Sequence, residues 1–153
     1  MSAHDDIEVD GSLWPLLIVR FMGVPTTPQV EAYLARMTEF LERGEPYVTL
    51  LDSSGMTGMG PAEQRHLQID WMKRHAARRR ELSRGDAFVI NSPLVRLAVS
   101  VAIHLTSMRS YVVTARLDEA AAWAAQRLEE CGQGAAAQRI REHFGLRSSR
   151  SSG

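Results

Sequence analysis

Apolar positions along the chain switch between short continuous runs and a spacing of three and four residues. Ile7 to Asp10, then Gly11 and Ser12, then Leu13 to Phe21 predict two strands joined by a tight turn. The set Val30, Tyr33, Leu34, Met37, Phe40 and Leu41 marks one face of a helix. Thr27 caps that helix, Pro28 sits in its first turn, and Gly44 supplies a left-handed stop after about Arg43. Tyr47 to Leu51 is a short apolar strand, and SSGMTGMG after Asp52 reads as a loop. Pro61 opens a second helix from Ala62 to about Leu82, with Leu67, Trp71 and Met72 inward and Gly85 as its end. Ala87 to Ile90 is a third apolar strand. Asn91 or Ser92 then caps a helix from Leu94 to about Thr106, with Pro93 in its first turn. Tyr111 to Ala115 is the last strand. Leu117 to about Glu130 is an alanine-rich helix with Asp118 and Glu119 at the positive end of its dipole, and a short helix from Ala135 to Phe144 follows Cys131, Gly132, Gln133 and Gly134.

Strands that alternate with helices predict an α/β fold, because the helices cross over between parallel neighbours. The expected sheet has four to five strands, an antiparallel opening hairpin and a largely parallel remainder, with an extra C-terminal helix. The strands LLIVRF, YVTLL, AFVI and YVVTA read as apolar runs, consistent with a sheet that is well covered. A length of 153 residues fits one domain, expected over residues 1–146. The segment RSSRSSG, residues 147–153, has no apolar content and is expected to be disordered.

Lys plus Arg at 18 balance Asp plus Glu at 18, so nothing in the overall charge draws the chain to nucleic acid; no DNA partner is expected. The single cysteine, Cys131, excludes an internal disulfide and a multi-thiolate zinc site, and its simplest home is a reducing cytoplasm. No export signal is visible in MSAHDDIEVDG. The apolar segment Leu94 to Leu105 is interrupted by Arg96, Ser100 and His104 and falls short of the roughly 20 residues of a membrane span.

Catalytic, cofactor and metal signals are absent from the pattern. SSGMTGMG lacks the ending of a P-loop and the glycine spacing of a dinucleotide fingerprint. His66 and His75 fall on nearly opposite sides of one helix, no local acid completes a Ser-His-Asp arrangement, and Cys131 has no activating base beside it. Arg74, Arg78, Arg79 and Arg80 form a basic group near the end of the second helix, either a solvated face or a patch for an acidic protein partner. The third helix is the anomaly. Leu94, Leu97, Ala98, Val101, Ala102, Ile103 and Leu105, with Val95 and Val99, wrap most of its circumference, which requires burial on most sides or an interaction surface. The terminal helix lying across it would be the internal alternative. Arg96, Ser100 and His104 form a polar line at spacing four, readable as a solvent stripe or as head-group contacts in a pocket.

The segments YVTLLDSSG, HAARRREL, GDAFVINSPLVRLAVSVAIHL and YVVTARLDEAAAWA, with their order of elements over roughly Ile7 to Leu128, resemble the STAS domain of bacterial anti-sigma factor antagonists. More closely, they resemble small bacterial STAS-like proteins grouped with lipid-transfer domains of the CRAL-TRIO type. The resemblance implies partner binding, in some members switched by phosphorylation. The family's phosphorylated Asp-Ser-Ser-Gly lies at a helix start, whereas here Asp52-Ser53-Ser54-Gly55 directly continues a strand, so Ser53 and Ser54 are expected to shape the loop, bonding nearby backbone groups, rather than to accept phosphate. The expected function is that of a non-catalytic regulatory or scaffolding protein. It would bind a partner or a second copy of itself through the helix at 94–106. The alternative is a carrier that holds a small apolar or lipid-like ligand in a pocket lined by that helix.

Overall fold

A computed structural model describes residues 6–147; the expected tail, apart from Arg147, lies outside the described residues. The elements run β1 (Ile7–Asp10), β2 (Leu16–Gly23), α1 (Thr27–Glu42), β3 (Tyr47–Met56), α2 (Ala62–Arg74), α3 (Ala76–Leu82), β4 (Ser83–Val89), α4 (Pro93–Thr106), β5 (Tyr111–Thr114), α5 (Leu117–Glu130) and α6 (Gly134–Phe144). The fold is α/β, with one five-stranded sheet in the order β1-β2-β3-β4-β5. β1 and β2 are antiparallel and every later pair is parallel. Among the described residues, no helix is long and apolar enough to cross a membrane.

Alternation along the strands divides the core between the two faces of the sheet. Leu16, Ile18, Val48, Leu50, Ala87 and Val89 point to one face, against α5 and α6. Ala120, Ala121, Ala124 and Ala125 are fully buried there, and side chains this small let α5 lie close to the strands. Leu17 and Val19 point to the other face, where Val30, Tyr33, Leu34, Met37, Phe40 and Leu41 of α1 cover them, as the spacing predicted. Thr49, Leu51 and Ser53 of β3, with Asp86 and Phe88 of β4 and Ile90 just beyond it, share that face by parity.

Several boundaries differ from expectation, each for a local reason. Thr26, not Thr27, caps α1: its hydroxyl accepts from Gln29 N while the Gln29 side chain accepts from Thr26 N. The expected second helix is two helices. It breaks at His75, whose ring lies 4.6 Å from that of Trp71 and whose Nδ1 is 2.9 Å from the Trp71 carbonyl. The DSSG segment is strand rather than loop, because Gly55 and Met56 still pair with Met22 and Gly23 of β2. Gly85 does not end a helix but lies inside β4 at φ 151°, where an added Cβ would stand 2.6 Å from Trp123. The terminal helix α6 packs with α5 on the opposite face and does not cover α4.

Candidate ligand-binding cavity

The third and fourth strands carry a row of side chains that α4 covers only in part. Ser92 caps α4, accepting from Val95 N, and Pro93 occupies its first turn. Only Val95 of this helix is buried, packed with Phe88 and Ile90; Val99 and Ile103 contact the same cluster from the next turns. The other residues of the helix are half-buried or exposed. A cavity of about 710 Å³ lies between the sheet, α1, α2 and α4, within the usual range of small-molecule sites.

Its floor is the parity row of the strands: Thr49, Leu51 and Ser53 of β3, and Asp86, Phe88 and Ile90 in and after β4. Ser53 lies four steps along the strand from Thr49, a run of about 13 Å. The walls are mostly apolar and adaptable. Met37, Met56, Met59, Met72 and Met108 line it. That is five of the seven methionines in the chain, and unbranched thioethers fit irregular or variable contents. Exposed lining residues lie on the first turns of α2, including His66, and along α4, so the mouth runs between these two helices.

Polar groups gather at the Thr49 end of the floor. Asp86, 4% exposed, accepts from Arg79 Nη2 at 3.0 and 3.1 Å. The Thr49 hydroxyl also serves this carboxylate. Burial pushes the Asp86 carboxyl above the usual range, against the opposing pull of Arg79. Burial likewise works against the Arg79 charge, but Asp86 and Tyr47 outweigh it and hold the guanidinium firmly protonated. Burial raises the Tyr33 hydroxyl well above its ordinary value and the Tyr47 hydroxyl above its own, so both stay neutral beside the pair.

The residues singled out from the sequence divide among three sectors of α4. Val95, Val99 and Ile103 face the sheet cluster. Leu94, Leu97, Val101 and Leu105 line the mouth and are 61, 63, 46 and 47% exposed, while Ala98 and Ala102 line the cavity between the two sectors. Arg96, Ser100 and His104 are exposed on the third sector and none of them lines the cavity; Arg96 and Ser100 border a separate shallow depression beside Asn91 and Ser92. The basic group is not one patch. Arg79 turns inward to Asp86, Arg78 pairs with Glu81 at 3.2 Å, and Arg74 and Arg80 are exposed. Ser53 donates to the Val89 carbonyl at 2.8 Å, and Ser54 donates to Asp52 Oδ1 at 2.6 Å. Both hydroxyls therefore serve the strand end.

Sequence reasoning passed over Arg79, Asp86, Thr49 and Tyr33 as a group. One signal was present: Asp86 stands in GDAFVI, and an acid inside a buried strand demands a partner. Among the described residues no group of three His, Cys, Asp or Glu could hold a metal ion. No protein-family model matches the chain, and no curated protein matches it.

Proposed function

We propose that this protein binds a small apolar or amphiphilic molecule in the cavity beneath α4 and acts as a carrier or sensor of that ligand. One observation carries the reading: α4 stands off the sheet over a cavity of about 710 Å³ whose walls are apolar and rich in methionine. A helix that served only as core would bury more than Val95 against the sheet, since close packing is the rule of protein interiors. The order of elements and the sequential strand order support a STAS-like assignment, and a cytoplasmic setting belongs to the same proposal.

The test is native mass spectrometry on protein purified gently from its own cells, joined to thermal denaturation with a series of single-chain amphiphiles. A retained mass of a few hundred daltons, on the order expected for a pocket of this size, and a ligand-dependent rise in Tm are expected. Ala102→Trp, which places a large ring in the cavity, should abolish both while the protein stays folded. No retained mass and no rise in Tm with any member of the series would remove the proposal.

A second reading, binding of a protein through α4, is favoured by the exposure of Leu94, Leu97, Val101 and Leu105. Val101→Asp separates the two. Loss of an assembly larger than 17.1 kDa supports the protein partner; an unchanged mass with altered ligand binding supports the cavity.

A further inference from the structure

We infer that the cavity takes a single-chain amphiphile with an anionic head group such as a carboxylate, and that Arg79 holds that head. The inference rests on the proposal that the cavity binds a ligand, and it adds the chemical class and the anchor. Three cationic or protonatable side chains line the cavity, Arg65, His66 and Arg79, against one acid, Asp86. The chain contributes no other acid from the far wall, because residues 87–117, which include all of α4, contain neither Asp nor Glu.

The anchor follows from how the pair at the floor is bonded. Both contacts with Asp86 leave from Nη2 of Arg79, and the Tyr47 hydroxyl accepts one further bond from the guanidinium, so not all of its five donors are spent within the protein. The Arg79 side chain lines the cavity and remains 15% exposed, whereas that of Asp86 is 6% exposed and is also served by Thr49. A second anion can therefore reach the guanidinium from the cavity side while Asp86 stays on the sheet side. An anionic head gains charge-assisted hydrogen bonds there, which are about twice as strong as neutral ones. A neutral head gains only ordinary bonds, and a cationic head meets Arg79 and Arg65. The apolar chain then lies along the floor past Leu51 and Phe88, under the methionines.

The test compares head groups on one chain length. Decanoate, decanol and decyltrimethylammonium compete with Nile red, a neutral fluorophore, for the full-length protein. Decanoate is expected to displace it at about tenfold lower concentration than decanol, the ratio of one extra charge-assisted bond, with the ammonium weakest. In Arg79→Met/Asp86→Asn, which removes both charges together, the ratio should fall to within about twofold. Asp86→Asn alone should widen it, since the guanidinium is then left to the ligand; a merely structural role for the pair would not move head-group preference in that direction. Equal affinity for decanoate and decanol in the unmodified protein overturns the anionic head while leaving the cavity proposal standing. A preference for decanoate that survives the double variant overturns Arg79 as its anchor. Failure of Nile red and all three amphiphiles to bind overturns the cavity proposal and this inference with it. The unmodified protein alone decides the head-group question if a variant does not fold.

Discussion

Removing Arg79 while keeping Asp86 should be among the most costly single changes on the cavity side of the sheet. The two side chains are 15 and 6% exposed and joined by bonds of 3.0 and 3.1 Å, so the pair is desolvated and solvent screens it little. Truncation of one member of such a pair leaves an uncompensated buried charge and costs about 3–5 kcal/mol. For a chain of this length each kcal/mol is worth about 2–4 °C, so Arg79→Met should lower Tm by roughly 6–20 °C. Arg79→Met/Asp86→Asn should recover most of the loss, because the amide is neutral and still accepts from Thr49. The loss also carries a pH signature. The folded-state value of Asp86 lies above its ordinary 3.8, so the carboxyl favours folding most where it is protonated in both states, and that contribution is lost as pH rises through the folded value. Without Arg79 the rise is greater still. The deficit of Arg79→Met should therefore be small below pH 3.8 and full at neutrality. Urea unfolding followed by circular dichroism at both pH values measures it. A deficit below about 1 kcal/mol at neutral pH, or one equally large in acid, would show that a stranded charge is not the cause.

Gly85→Ala should cost about 2–4 kcal/mol, because φ of 151° is a region that alanine avoids and its Cβ would meet the Trp123 ring at 2.6 Å; urea unfolding with an unchanged midpoint would contradict the placement of Gly85 under α5. In alkali, Tyr33 and Tyr47 should ionise only as the protein unfolds, since burial raises both above the ordinary value of 10.0. Their contribution to stability is full below that value and is lost as pH rises past it. In a Tyr111→Phe background only these two phenols remain. Phenolate absorbance and loss of helical signal should then rise together, and absorbance that precedes unfolding would mean that the hydroxyls are reached by solvent.

The sheet was legible because its strands are apolar on both sides and the helices between them carry clear stripes. The stripe from Val30 to Leu41 of α1 is buried as its spacing requires. What the spacing could not show was set by contacts between distant segments. Ser53 to Met56 lack strand-like composition, yet β2 offers Met22 and Gly23 as pairing partners and the chain stays extended. The helical pattern across His75 is unbroken in sequence, yet the backbone at His75 leaves helical angles, with φ −104° and ψ 17°, and α2 ends there. Arg79 looked like its neighbours Arg78 and Arg80. Only the three-dimensional approach of β4 distinguishes it, by placing Asp86 within 3.1 Å.

The apolar circumference of α4 has the same resolution. A helix packed on one side of a sheet needs an apolar sector about 100° wide, and Val95, Val99 and Ile103 already supply it. The second apolar sector, Leu94, Leu97, Val101 and Leu105, would be wasteful on a helix that only closed the core, and its exposure of 46 to 63% would invite aggregation. It becomes intelligible when those residues are the rim of a cavity whose floor is charged at one end and apolar along its length. On the proposed reading, an apolar rim would admit the chain of an amphiphile, while Arg79 at the floor would select the head. The two apolar sectors of α4 would then answer two requirements, cohesion of the fold through Val95 and, in the proposed carrier, access to the cavity through Leu97 and Val101.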